Sequence, residues 1–119
     1  MNNIVALNKD NFDEHFDKHE FIVLDFSADW CEPCQTFGTV IEAMAKEFPS
    51  VFFGTIDVSK EEELASAFNV RSVPTTIILR YGVAVFVQSG TLTQPEFKRL
   101  LTEAQALTAD EVQRDIKKA

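Results

Sequence analysis

The fold of this chain is decided by residues 21–34, which read FIVLDFSADWCEPC. The apolar run over 21–26, interrupted only by Asp25, predicts a strand that is buried on both faces. The residues after it predict a helix over about 32–48. Five apolar residues recur along this helix at helical spacing: Phe37, Val40, Ile41, Met44 and Phe48. A doubly buried strand that leads into an amphipathic helix indicates an α/β domain.

The segments on either side of this stretch continue the alternation of strands and helices. Residues 4–8 predict a short strand, and residues 10–18 predict a helix. Residues 51–58 predict another strand, after which a capping box of Ser59 and Glu62 opens a helix. We expect that helix to bury three apolar residues: Leu64, Ala67 and Phe68.

The last third of the chain predicts a hairpin and a helix. Residues 75–80 and 83–88 are separated by two residues, so they predict antiparallel strands. Thr93 and Glu96 form a second capping box, which opens the last main helix. The apolar residues that this helix is expected to bury are Phe97, Leu100, Leu101 and Ala104. The predicted fold class is therefore α/β, with a central mixed sheet, parallel in part, and helices on both faces.

Residues 108–119 predict a short additional helix. A third capping box opens it at Thr108, and Val112 and Ile116 are its strongly apolar residues. We expect one domain over residues 1–107 and a C-terminal helical extension over 108–119. The extension is either a loosely docked terminal helix or an element that docks a partner, and the sequence leaves both open.

Composition and charge exclude several classes of protein. The chain has 119 residues, of which 45% are hydrophobic and 25% charged, as in a single globular domain. Its formal net charge of -8 disfavours nucleic acid and anionic membrane surfaces as partners. No run approaches the roughly 18 apolar residues of a membrane helix, and no signal-peptide pattern opens the chain. We expect a cytoplasmic protein, with a cleaved export signal left open.

The two cysteines, Cys31 and Cys34, are too few for a disulfide-rich scaffold and are placed for redox chemistry. Cys31 falls at the predicted N-terminus of a helix, where the helix dipole stabilises a thiolate. Cys34 lies on the same face, within reach of a disulfide, and Pro33 fits the first turn. We expect an exposed, attacking Cys31 and a more buried, resolving Cys34. A structural staple, an inert pair or half of a metal site completed by His15 and His19 are the alternatives, and we expect both histidines on a solvated face.

Two further features accompany the cysteines, an acid and a proline. Asp25 lies within the apolar run, where burial is costly and raises the pKa of a carboxyl group. Because it lies near the exit of the strand, it could exchange a proton with Cys34; a surface acid is the alternative. Val73-Pro74 comes just before a strand, where a proline is tolerated, and a plain loop proline is the alternative.

These motifs together resemble the thioredoxin family over about residues 1–107. The motifs that carry the resemblance are DFSADWCEPC over 25–34, IDV over 56–58, VRSVPT over 70–75, Tyr81-Gly82 and Gly90. The resemblance implies the fold of that family, with the cysteines at the start of the second helix. It also implies a redox-active disulfide between Cys31 and Cys34, with no separate cofactor and no metal.

The resemblance further implies a role for each residue of the site. Cys31 is implied to be the attacking thiolate, Cys34 to resolve the mixed disulfide, and Asp25 to be the buried acid near Cys34. The Val73-Pro74 peptide is implied to be cis and to lie against the disulfide, with the Val73 backbone pairing with an extended substrate. The implied substrate groove consists of Trp30, Val73, Pro74 and Gly90.

Several positions depart from the common pattern of the family, and three of them bear on the redox pair and the buried acid. Glu32 stands where its reductases usually have Gly, and a carboxylate there opposes the neighbouring thiolate. Gln35 stands where a Lys is common, and Phe53 falls where a buried Lys often partners the acid, so we expect Asp25 to lack a cation. The two residues between the cysteines, Glu32 and Pro33, are therefore expected to modulate the redox properties of the pair.

Two hypotheses about function follow. The first is a monomeric thiol–disulfide oxidoreductase that reduces disulfides in protein substrates and takes electrons from a thioredoxin reductase. The second is a specialised binding or assembly module, which recognises one dedicated partner through the groove between Trp30 and Pro74 and through the helix over 108–119.

Overall fold

The computed structural model describes the backbone of residues 4–118 and the side chains of residues 4–113. Five strands and five helices make up this part of the chain. The strands are β1 (Ile4–Ala6), β2 (Phe21–Ser27), β3 (Phe52–Asp57), β4 (Thr75–Arg80) and β5 (Val83–Ser89). The helices are α1 (Phe12–Lys18), α2 (Glu32–Glu47), α3 (Glu62–Ala67), α4 (Gln94–Gln105) and α5 (Ala109–Lys118). Each predicted element is present, with ends that differ by at most a few residues.

The strands form one mixed sheet in the order β1-β3-β2-β4-β5. β2 is central: it runs parallel to β3 and antiparallel to β4. β1 extends the parallel side, and β5 pairs antiparallel with β4. The two residues of the β4–β5 turn, Tyr81 and Gly82, have φ values of 52° and 78°, which suit a tight hairpin. The predicted mixed sheet and its hairpin are therefore confirmed.

Successive side chains of β2 point to opposite faces of the sheet, and each face is covered by two helices. Phe21 and Val23 pack with apolar residues of α2 and α4, on what we call the α2/α4 face. Ile22, Leu24 and Phe26 pack with α1 and α3, on the α1/α3 face. The prediction of helices on both faces is confirmed, and β2 lies at the centre of both cores.

The predicted start of α3 is wrong. Its N-cap is Glu61, without a side-chain cap, whereas a Ser59–Glu62 capping box was expected. The Ser59 hydroxyl accepts a hydrogen bond from the Trp30 indole at 3.0 Å, and the Asp57 carboxylate accepts the Ser59 amide at 2.8 Å. The buried face of α3 also differs from the expected one, because Ala65 is buried and Ala67 is exposed.

The helix α5 follows α4 after a short turn, and its N-terminal part is described in full. The predicted capping box is present, because Thr108 and Glu111 exchange two hydrogen bonds of 3.1 Å between side chain and backbone. Val112 is only 2% exposed, so the first turn of α5 is covered at this position. The side chain of Ile116 lies outside the described residues. The boundary between 1–107 and 108–119 stays a prediction.

In the described part of the chain, no helix is long and apolar enough to cross a membrane.

Burial of Val112 predicts a loss of stability for Val112→Ala. Truncating a buried valine removes apolar contacts and leaves a small cavity, so we expect the free energy of unfolding to fall by about 1–2 kcal/mol. The matched control is Val87→Ala, because Val87 is 63% exposed. Urea denaturation followed by far-UV circular dichroism measures both. Equal losses for the two variants would contradict the burial of Val112.

Candidate active site

The two cysteines form a disulfide at the N-terminus of α2. Cys31 is the N-cap residue of the helix, and its sulfur accepts a hydrogen bond from the Cys34 backbone amide at 3.2 Å. The Cα atoms of the pair are 5.3 Å apart. Pro33 occupies the first turn of α2, where a backbone N–H has no partner within the helix. The disulfide therefore lies at the positive end of the longest helix.

The two cysteines do not differ in exposure. Cys31 is 5% exposed and Cys34 is 6% exposed. The expectation of an exposed Cys31 is wrong for the disulfide form, because both residues pack against Ala28, Val58 and Val73. What distinguishes the two cysteines is position: Cys31 precedes the helix, whereas Cys34 lies within its first turn.

Asp25 is buried in the sheet beneath α2 and α4. Alternation along β2 places it on the same face as Val23, and it is 6% exposed. The alternative of a surface acid is therefore wrong. Burial raises the pKa of the Asp25 carboxyl to about 6, and its Oδ1 atom has no hydrogen-bond partner among the described residues. Phe53, on the same face, is only 1% exposed and supplies no cation. Asp25 can therefore gain or lose a proton near neutral pH.

The Val73-Pro74 peptide is cis, as the resemblance implied. The Val73 side chain packs against the disulfide. Neither the N–H nor the C=O of Val73 makes a backbone hydrogen bond within residues 4–118. Gly90, with a φ of 85°, donates its N–H to the Pro74 carbonyl at 2.8 Å. The Val73 backbone is therefore open to pair with an extended chain laid beside the disulfide.

Trp30 and Val73 border a groove of about 430 Å³ next to the cysteines. Trp30 is 72% exposed, and the Ser59 hydroxyl holds its indole N–H. The other lining residues are Val58, Glu62, Ala65, Ser66, Asn69, Val70, Arg71 and Ser72. Gly90 does not line this groove. The four residues of the predicted substrate groove are therefore divided: Trp30 and Val73 border this groove, whereas Gly90 lies beside Pro74. The sequence did not indicate that Ser59 and Arg71 belong to the site. Arg71 lies two residues before Val73, and this spacing could have placed it there.

Two polar residues of α2 lie beside the disulfide and face solvent. Glu32, the first residue of the helix, is exposed. Gln35 is exposed too, and its amide donates to the Asp29 carbonyl at 2.9 Å, which ties the helix to the loop before it. No pattern in the sequence predicted this contact. The negative charge of Glu32 is thus near the sulfurs but is surrounded by water, not by the core.

The two histidines are half-buried, so the expected solvated face is only partly present. The rings of His15 and His19 stack on Phe52, with ring centroids 4.8 and 4.3 Å from it. Burial is the main reason why the pKa of His19 is lowered, and the neighbouring His15 and Lys18 add to it. No group of three or more metal-ligating side chains occurs among the residues that were described. The site therefore consists of the disulfide, Asp25 and the groove.

The buried acid predicts an unusual dependence of stability on pH. The pKa of Asp25 is about 6 in the folded protein, whereas an aspartate in the unfolded chain has a pKa of 3.8. As the pH rises, the unfolded chain therefore loses this proton before the folded protein does. The contribution of protonated Asp25 to the free energy of unfolding is thus fully present below pH 4 and is lost as the pH rises past 6. Asp25→Asn removes this loss, so we expect the variant to exceed the wild type by roughly 3 kcal/mol at pH 8 and by much less at pH 4.

Urea denaturation at a series of pH values tests this expectation. Asp29→Asn is the matched control, because the Asp29 side chain is 86% exposed and its removal takes no charge from the core. If the stabilities of Asp25→Asn and the wild type differ by the same amount at pH 4 and pH 8, the assignment of the raised pKa is wrong.

The chain is similar to known proteins in sequence as well as in fold. The family model for thioredoxin matches residues 3–103. A curated relative from Streptomyces coelicolor, whose name places it among the thioredoxins, is 40% identical over 116 residues, covering 98% of this chain and 87% of the relative. A thioredoxin from Buchnera aphidicola is 29% identical over 105 residues, covering 87% of this chain and 97% of its own.

Solved structures give the same answer. A mutant thioredoxin from Halobacterium salinarum superposes with a TM-score of 0.82 at 29% identity, covering 88% of this chain and 93% of the other. A thioredoxin from Nicotiana alata has a TM-score of 0.81 at 29% identity, covering 87% and 93%. Fold, sequence and the Cys31–Cys34 pair agree: the chain belongs to the thioredoxin family of thiol–disulfide oxidoreductases.

Proposed function

We propose that the chain reduces disulfides in protein substrates, with Cys31 as the attacking thiolate and Cys34 as the resolving thiol. The observation that carries this assignment is the position of Cys31 as the N-cap of α2. Backbone N–H groups and the helix dipole there favour a thiolate, which is the nucleophile of thiol–disulfide exchange. Cys34 lies in the first turn of the helix and is bonded to Cys31 in the structure. Its sulfur is therefore placed to attack Cys31 and displace the substrate.

The exchange has two steps that balance in atoms and electrons. The Cys31 thiolate attacks one sulfur of the substrate disulfide, forms a mixed disulfide and releases the other sulfur as a thiolate. The Cys34 thiolate then attacks the Cys31 sulfur, which forms the Cys31–Cys34 disulfide and releases the second substrate thiolate. Two electrons pass from the dithiol to the substrate. A further dithiol must return them, and we propose a thioredoxin reductase as that donor.

Asp25 is proposed to accept the proton of Cys34 in the second step. It is a suitable base because burial raises the pKa of its carboxyl to about 6, so that it is mostly ionised at pH 7 and yet binds a proton readily. β2 presents Asp25 on the face that α2 covers, and α2 begins at the disulfide. The proton thus moves within a site from which water is largely excluded.

Substrate recognition is proposed to use the backbone of Val73 and the surfaces beside it. An extended segment of substrate pairs with the free N–H and C=O of Val73. Trp30 and Pro74 contact the substrate on either side of the disulfide, and Gly90 leaves room beside Pro74, since a Cβ there has no neighbour within 4 Å. We further propose that the chain acts as a monomer in the cytoplasm, without nucleic acid or membrane.

Replacing the proposed nucleophile tests the function directly. We expect Cys31→Ser to lower the rate at which a disulfide-bonded protein is reduced by at least about 100-fold, with dithiothreitol as the electron source. The rate without any added protein is the baseline. A Cys31→Ser variant as fast as the wild type would refute the proposal.

The alternative, a binding module with one dedicated partner, rests on α5 and on Glu32 and Gln35 beside the disulfide. Cys34→Ser separates the two functions, because it leaves the mixed disulfide unresolved. A general reductase is expected to retain many different proteins from a native extract, each released by reductant. Retention of one protein, or of none, favours the dedicated module.

The charge of Glu32 predicts a shift in the pKa of Cys31. A carboxylate in the first turn disfavours the thiolate, so we expect Glu32→Gly to lower the pKa of Cys31 by about half a unit. Iodoacetamide alkylation of the reduced protein as a function of pH measures it. Glu32→Gln is the matched control, since it removes the charge and keeps the helical side chain. An unchanged or raised pKa in both variants contradicts this account.

A further inference from the structure

Two buried polar atoms that lack a partner belong to residues directly opposite each other in the sheet. Among the described side chains, four buried polar atoms lack a hydrogen bond: Oδ1 of Asp25, Oγ1 of Thr76, and one atom each of His15 and Arg80. The register of β2 and β4 pairs Asp25 with Thr76. Unpaired buried polar atoms are rare and costly, so two of them on one cross-strand pair call for a common explanation.

The geometry allows these two groups to satisfy each other. Side chains of directly opposed residues in an antiparallel pair have Cβ atoms about 5 Å apart and lie on the same face. Thr76 is only 2% exposed, and it shares the α2/α4 face with Ile78. A hydroxyl can donate and an ionised carboxylate can only accept, so the two are complementary. One rotation about χ1 of Thr76, or one bridging water, makes the bond.

Other ionisable groups near this face do not compete for Asp25. Of those on α2 and α4, only Cys34 is buried; the exposed ones are Glu32, Glu42, Lys46, Glu47, Glu96, Lys98, Arg99 and Glu103. Within the sheet, the Asp57 carboxylate accepts backbone amides of the turn after β3. Arg80 lies at the far end of β4, opposite Phe21, and donates to the Ala104 carbonyl. The remaining neighbour in register is Thr55, which is neutral.

We propose that Thr76 is a positioning residue for Asp25: its hydroxyl donates a hydrogen bond to the carboxylate, directly or through one water, and keeps it ionised and oriented toward Cys34. This inference rests on the proposed role of Asp25 in the resolution step. The Thr76 hydroxyl takes the place of a buried cation in stabilising the carboxylate. Phe53, which is buried on the same face, carries no charge. A neutral donor stabilises the anion less than a cation does, so the pKa of Asp25 stays closer to neutrality.

Thr76→Val and Thr76→Ser test the proposal. Valine keeps the shape of threonine without the hydroxyl, so it should raise the pKa of Asp25 by about one unit. Serine keeps the hydroxyl, so its pKa should stay close to that of the wild type. Carbon-13 NMR titration of the Asp25 carboxyl in the oxidised protein measures all three without interference from thiol titration. An unchanged pKa in Thr76→Val, or an equal shift in Thr76→Ser, overturns the proposal.

The rate of disulfide reduction as a function of pH supplies the second readout. In Thr76→Val we expect the acid limb of the profile to move upward by the same unit, and in Thr76→Ser to stay in place. A shifted pKa with an unmoved profile means that the bond exists without a positioning role, which also overturns the proposal. If Asp25→Asn too leaves the profile unmoved, the fault lies in the proposed role of Asp25 rather than in Thr76.

Discussion

Burial of β2 on both faces is the constraint on which the rest of the structure depends. The strand is flanked by β3 and β4 and covered by two helices on each side, so each of its side chains up to Phe26 enters a core. An acid at Asp25 is therefore removed from water whichever way it points. Because the strand ends at Ser27 and α2 begins at Glu32, the cysteines fall at the edge of the same core. One strand thus positions both the loop that carries the sulfur pair and the acid that we propose as the base.

Two carboxylates act on this site from environments of different polarity. Glu32 is exposed, and its effect on a thiolate is weakened by water and salt. Asp25 is buried, and no cation accompanies it among the described side chains, so water screens its charge only weakly. A negative Asp25 and a negative Cys34 disfavour each other, and a proton shared between them relieves the conflict. The proton transfer that we propose between Asp25 and Cys34 rests on this argument, and the effect that we propose for Glu32 concerns the neighbouring Cys31.

The sequence predicted what depends on periodicity and missed what depends on contacts between distant segments. The strands, the helices and the burial of Asp25 follow from alternation and helical spacing, which are local properties of the chain. The expected cap at Ser59 failed because the hydroxyl binds Trp30, which is 29 residues away. The expected solvated face of His15 and His19 is only partly present because Phe52 comes to lie beside α1 only when β3 joins the sheet. The equal burial of the cysteines depends on Val58 and Val73, from two further segments.

The way in which the disulfide is covered bears on the choice between a general reductase and a dedicated module. Both cysteines are nearly inaccessible, so a partner reaches the sulfurs only by lying against the residues that cover them. The polar groups that Val73 leaves unpaired there belong to the backbone, and every protein chain offers matching N–H and C=O groups. Recognition through such groups selects an extended segment with an accessible disulfide rather than a particular sequence. Glu62 and Arg71, which line the groove, carry opposite charges, so under the proposed function they favour some substrates over others by charge and do not restrict the site to one partner.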